Sequence, residues 1–222
     1  MARIGIGNHL RVGKMSAKPD MVFLHGFGDN PSSLKGFAAS IALDKYSAIL
    51  PRMRSSRNEP DMIGWSPAHL AGDLQVICHP LACHYLIGYS YGGIIASTYA
   101  LMVGASRLKG LIVVDQAFAP QYDRSEPEPW SVTSDLLWHY DYTHHLTMTA
   151  KLGIPTLLIV GSQSHVVPKA EVAWWENIQE SQLSLKVLSD DHRGLVKPWS
   201  SAAEAIRNFI QGIESPTKEM ER

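Results

Sequence analysis

Residues 84–93, His-Tyr-Leu-Ile-Gly-Tyr-Ser-Tyr-Gly-Gly, run an apolar strand into the pattern GxSxG around Ser90 and then into the small-residue stretch Ile94 to Ala105. A strand that reverses at once into a helix leaves no room for side chains at the reversal, and Gly88 and Gly92 sit where a Cβ would meet neighbouring backbone. The spacing predicts a nucleophile elbow. The Ser90 hydroxyl would stand at the top of a sheet, with the Tyr91 N–H aimed where an oxyanion develops. GxSxG alone also occurs in ordinary Ser/Gly turns, so the flanking strand and helix carry its specificity.

Working outward, Met21-Val22-Phe23-Leu24 is an apolar run that ends in His25-Gly26-Phe27-Gly28. It reads as a strand followed by a loop whose glycines let the main chain approach a ligand, with the Phe27 N–H as a second oxyanion donor. His25, at the head of the loop, is a candidate substrate contact. Elsewhere apolar runs alternate with helical patterns, the sign of an α/β chain with a mainly parallel sheet flanked by helices. Tyr46 to Leu50 reads as a strand ending at Pro51, residues 67–78 as a helix, and residues 154–161 and 183–188 as strands. Pro198 to Ile210 reads as a helix with Pro at its start and Ala202, Ala205, Ile206, Phe209 and Ile210 on one face. Residues 3–14 suggest a short hairpin ahead of the core.

With HGFG at 25–28, GYSYG at 88–92 and His192 in a loop after the last strand, the chain resembles the α/β-hydrolase family over roughly residues 20–212. The resemblance implies the α/β-hydrolase fold and a Ser-His-acid triad in the chain order nucleophile, acid, histidine, with Ser90 and His192 as two members. The family usually carries its acid after the seventh strand. In this chain that loop is Gly161-Ser162-Gln163-Ser164-His165-Val166-Val167-Pro168, and Ser164 occupies the aspartate position. A hydroxyl can accept a hydrogen bond from imidazole but carries no charge to stabilise the imidazolium. One strand earlier, the apolar run Leu108 to Val114 ends in Asp115, 25 positions after Ser90. Some family members, including thioesterase domains of polyketide and nonribosomal peptide synthesis, look similar in placing the acid after this sixth strand. Asp115 is therefore the candidate acid, ahead of Asp190 and Asp191, whose side chains cannot easily reach the far nitrogen of the adjacent His192.

Residues 116–153, between the family's sixth and seventh strands, form the longest insertion and hold Phe118, Tyr122, Trp130, Trp138, Tyr140 and Tyr142. An insertion there lies over the C-terminal strand ends, so it reads as a small lid within a single domain spanning 1–222, with 131–150 partly helical. Trp130, Trp138 and Tyr140 are candidate substrate contacts, because an aromatic can close a pocket with its face and hydrogen-bond with its tip. His139, His144 and His145 lack the carboxylate or thiolate spacing of a metal site. Cys78 and Cys83 read as buried thiols rather than ligands. Arg52, Arg54 and Arg57 suit the phosphates of a coenzyme A or phosphopantetheine thioester, or form a solvated loop neutralised by Glu59 and Asp61.

The 222 residues, 45% hydrophobic and 18% charged, have ordinary globular composition. A net charge of −1 gives no electrostatic reason to propose nucleic acid as a partner. No run approaches the ~18 apolar residues of a membrane span, and the first residues lack a secretory apolar segment, so the expected location is cytoplasmic. These readings point to a serine hydrolase that cleaves a small-molecule carboxylic ester or thioester through an acyl-enzyme on Ser90, with no metal or organic cofactor. The alternatives are a lyase on the same fold, or a ligand-binding protein with little turnover.

Overall fold

Seven strands form one sheet in the order β1-β3-β2-β4-β5-β6-β7: β1 (Leu10–Gly13), β2 (Met21–Leu24), β3 (Ser47–Leu50), β4 (His84–Tyr89), β5 (Leu108–Val114), β6 (Thr156–Gly161) and β7 (Leu183–Leu188). The computed structural model describes residues 9–14, 21–53, 65–81, 84–124 and 136–215. Strand β1 pairs antiparallel with β3, and the other pairings are parallel. Leu24 lies opposite Gly88, Gly88 opposite Val113, and Val114 opposite Ile159. This register brings the C-terminal ends of β2, β4, β5 and β6 to one edge, where the loops carrying the predicted site begin.

The central strands are almost continuously apolar because both faces of a parallel sheet are covered. Alternate residues feed two cores. Leu86, Leu111, Val113, Leu158 and Val160 cluster with α2 (Pro67–Cys78), α3 (Tyr91–Val103), α4 (His144–Lys151) and α5 (Lys169–Glu176). Tyr85, Ile87, Tyr89, Ile112, Val114, Leu157 and Ile159 cluster with α1 (Lys35–Ala42) and α6 (Ser201–Glu214). Each fully buried aliphatic side chain contributes about 1.5–3 kcal/mol, so the strand ends that carry the site rest on a stiff floor. Strand β7 lies at the sheet edge, with Leu183, Leu185 and Leu188 half-buried and Ser184, Lys186 and Val187 exposed.

Some boundaries differ from the sequence reading: β3 and β6 start one and two residues later than read, and the last helix runs on to Glu214. The last helix starts at Ser201 rather than Pro198, because Trp199 takes a φ of +60° and the Ser200 hydroxyl caps the helix by accepting from the Ala203 N–H at 3.3 Å. The hairpin expected at residues 3–14 extends outside the described residues; its described part, β1, pairs with β3. Among the described residues, no helix is long and apolar enough to cross a membrane.

Candidate active site

The elbow forms where β4 meets α3. Ser90 stands between them with φ +52° and ψ −132°, a conformation that costs a non-glycine residue on the order of 1–3 kcal/mol and persists only when its surroundings enforce it. They do. The Ser90 N–H donates to the Val114 carbonyl at 2.9 Å, and the Gly93 N–H donates to the Ser90 carbonyl at 2.6 Å. A Cβ at Gly88 would lie 2.3 Å from the Gly92 carbonyl oxygen, and one at Gly92 would lie 2.4 Å from that of Leu24. The two glycines of GxSxG are thus the positions where strand, turn and neighbouring strand touch.

The loop after β2 closes on the same serine. A Cβ at Gly26 would stand 3.1 Å from the Ser90 Cβ and 3.5 Å from its Oγ, so this loop passes directly against the Ser90 side chain. The Phe27 and Tyr91 rings meet edge to face with centroids 6.1 Å apart. Both residues expected to supply oxyanion donors therefore flank Ser90, and Tyr91 opens α3, where first-turn N–H groups lack helical partners and attract negative charge.

Asp115 follows β5 directly, fully buried, with φ +53°. Its Oδ2 accepts from His192 Nδ1 at 2.7 Å and from Ser164 Oγ at 2.5 Å, and its Oδ1 accepts from the Gly161 N–H at 2.8 Å. Three donors compensate for taking a carboxylate out of water. The neighbours of His192 are engaged locally. Asp191 Oδ1 accepts from the Gly194 N–H at 2.6 Å, and Asp190 Oδ2 accepts from the Ser201 hydroxyl at 2.7 Å. The imidazole thus pairs with Asp115, 77 positions away, and with neither adjacent aspartate.

A family model for the alpha/beta hydrolase family matches residues 21–207. The chain belongs to the alpha/beta hydrolase family. Pimeloyl-(acyl-carrier protein) methyl ester esterases of Aeromonas salmonicida (strain A449) and Aeromonas hydrophila are 37% and 36% identical to it over 98 residues, 43% of this chain. The matched stretch covers only 37% of either relative's length. Among solved structures, a thermophilic esterase from Thermogutta terrifontis superposes with a TM-score of 0.73 at 20% identity, over 93% of each chain. The thioesterase domain from the curacin biosynthetic pathway superposes with a TM-score of 0.69 at 16% identity, over 91% of this chain and 94% of that one. At these identities the superpositions show the shared fold.

Other predicted residues of this alpha/beta hydrolase are placed differently. His25 is buried, and both its ring nitrogens are occupied: Nδ1 donates to the Gly26 carbonyl at 3.0 Å, and Nε2 accepts from the Met53 N–H at 3.2 Å. It braces the loop after β2 against the segment after β3 rather than offering a ring nitrogen to substrate. Burial lowers its pKa, with the Arg52 charge acting in the same direction against the opposing Gly26 bond and Asp29 charge. Trp138 is half-buried, with the Arg124 guanidinium 4.6 Å above its ring. Tyr140 is exposed beside Tyr142. Trp130, Arg54, Arg57, Glu59, Asp61 and Cys83 lie outside the described residues.

Within the insertion, residues 136–138 and α4 are helical, with Leu137 and Leu146 packed into the core beside α3. His139 meets the Arg124 carbonyl at 3.1 Å, and His145 Nδ1 donates to Ser97 Oγ at 3.1 Å. Among the described residues, no group of three or more His, Cys, Asp or Glu could hold a metal ion. Cys78 is buried, which pushes its thiol up to about 12.

Three contributors were missed from sequence. Tyr89, the variable residue before Ser90, stacks on His192 with centroids 4.7 Å apart and donates to the His192 carbonyl at 3.2 Å. Glu171, buried on α5, accepts from the Phe118 and Ala119 N–H groups at 2.7 and 3.3 Å and from Trp175 Nε1 at 3.1 Å, pinning the chain just beyond Asp115. Arg193 donates to Asp29 at 2.8 Å, tying the histidine loop to the loop after β2. A tyrosine inside GxSxG and an arginine after the histidine are visible locally, but their partners are not.

Proposed function

We propose that this protein is a serine hydrolase that cleaves a small-molecule carboxylic ester or thioester through an acyl-enzyme on Ser90. The observation that carries the reading is the 2.7 Å pair between His192 Nδ1 and the buried Asp115, on loops that leave the same sheet edge as the Ser90 elbow. Asp115 fixes the tautomer in which His192 Nε2 is the free base. Ser90 Oγ attacks the substrate carbonyl and its proton passes to His192. The oxyanion is met by the N–H groups of Phe27 and Tyr91, and the imidazolium is stabilised by Asp115.

Collapse of this intermediate expels an alcohol or thiol, which takes the proton from His192. Water, deprotonated by the same imidazole, then attacks the acyl-enzyme and releases the acid. The pairing of His192 with Asp115 and the hydrogen bonds that hold Ser90 in its turn support this reading, because orientation supplied in advance need not be paid for during the reaction. The likeness to Aeromonas methyl ester esterases over 98 residues supports ester cleavage. The insertion between β5 and β6, which begins directly beyond Asp115, is the element that would limit acyl length.

A fluorophosphonate probe tests the assignment, because it reacts with a serine only when that serine is activated. The expected result is rapid modification mapped by peptide mass spectrometry to Ser90 and abolished by His192→Ala. Modification elsewhere, or none in folded protein, contradicts it.

A further inference from the structure

Asp115 Oδ2 is shared by two side-chain donors, His192 Nδ1 at 2.7 Å and Ser164 Oγ at 2.5 Å. The direction of the second bond is set by its surroundings. Ser164 Oγ already accepts from the Val166 N–H at 3.1 Å, which leaves the hydroxyl proton to go to the carboxylate. The Ser164 N–H donates to the Gly161 carbonyl at 3.0 Å, so the turn that carries the hydroxyl is itself tied to the end of β6. The Gly161 N–H, from the same strand end, holds Oδ1 at 2.8 Å. The plane of the carboxylate is therefore fixed by one stretch of chain, Gly161 to Val166, while His192 reads its position.

We propose that Ser164 is a positioning residue for the reaction, donating its proton to Asp115 so that the carboxylate is held in the plane that orients His192. The inference rests on the serine hydrolase reading above and adds to it the residue that aligns its acid. It also gives a physical reason for a neutral side chain at this position. With the acid at 115, a carboxylate at 164 would set two negative charges in contact at a buried point, whereas a hydroxyl supplies a third donor.

The test is p-nitrophenyl ester hydrolysis across pH by wild type and by Ser164→Ala, Ser164→Cys and Ser164→Thr, with Ser90→Ala and Asp115→Asn alongside. Losing one charge-assisted donor should lower kcat roughly ten-fold in the Ala and Cys variants with KM nearly unchanged, while Thr, which keeps the hydroxyl, stays close to wild type. With one donor fewer, more of the carboxylate's charge faces the imidazole. The protonated, inactive ring then persists to higher pH, and the acid limb of the rate profile moves up. A purely structural role would move the melting temperature and leave that limb in place. Should Ser164→Ala fail to fold, the Cys and Thr variants carry the same comparison. Wild-type kcat and pH profile in a folded Ala or Cys variant, or an equal loss in Thr, overturns the proposal. If Ser90→Ala and Asp115→Asn are inactive in that case, only the role of Ser164 fails; if Ser90→Ala retains turnover, the hydrolase reading itself fails.

Discussion

Tyr89 lies stacked on His192, the rings 29° from parallel with centroids 4.7 Å apart, and its hydroxyl donates to the His192 carbonyl at 3.2 Å. The residue before Ser90 thus holds His192 by both ring and backbone. Burial pushes the phenol well above its ordinary range, so it remains a donor at any working pH.

Tyr89→Phe should keep the stack and lose one hydrogen bond, lowering kcat/KM by a few-fold at most. Tyr89→Leu should lose both the stack and the bond, with kcat/KM down on the order of ten-fold and stability down by roughly 1–3 kcal/mol. Steady-state kinetics beside urea denaturation separates the two effects. A Leu variant with wild-type kcat/KM would show that the stack does not position His192.

Glycine positions give a paired prediction. A Cβ at Gly92 meets the Leu24 carbonyl oxygen at 2.4 Å, backbone that can yield only by moving β2, whereas a Cβ at Gly72 on α2 meets nothing within 4 Å. Gly92→Ala should cost about 1–3 kcal/mol or more and displace the elbow, abolishing probe labelling of Ser90. Gly72→Ala should raise stability by about 0.5–1 kcal/mol. Thermal unfolding checks both signs.

His25 sets a pH dependence. Its folded-state pKa lies below the ordinary 6.5, chiefly through burial, so near and below that pH the unfolded chain binds more protons than the native one. Its contribution is complete above about pH 6.5 and is lost as pH falls through the unfolded pKa toward the lower folded value. His145, shifted in the same direction by burial, adds to the slope, and Glu171, raised by burial, opposes it at lower pH. Urea midpoints should therefore fall between pH 7.5 and 5.5 more steeply in wild type than in His25→Gln, which cannot titrate. Equal slopes would show that His25 protonation is not linked to unfolding.

The elbow and the loop after β2 were legible in the sequence because their constraint is local: a strand that turns sharply needs glycine at fixed offsets from the serine. The place of Asp115 directly after β5 was legible because an apolar strand ends in a carboxylate, while the position where the family usually has its acid holds Ser164. What Ser164 does was not legible. The partner of its hydroxyl follows from the pairing of β5 with β6, with Val114 opposite Ile159, which brings the two strand ends together. Glu171 was hidden for a similar reason, since the N–H groups it accepts from lie 53 and 52 positions away on a different element. His25 reads from sequence as a substrate contact because it heads the glycine loop, yet its ring turns inward to Gly26 and Met53. The sequence places the start of α6 too early because Pro198 suits a first helical turn, and the positive φ at Trp199 defers the helix to Ser201.

The most direct test of the account is hydrolysis of a panel of p-nitrophenyl esters and acyl thioesters by wild type, Ser90→Ala and Asp115→Asn. Wild type should turn over, and both variants should lose roughly 10⁴-fold or more, all three remaining folded. Turnover retained by Ser90→Ala, or none in folded wild type on any substrate of the panel, would contradict it.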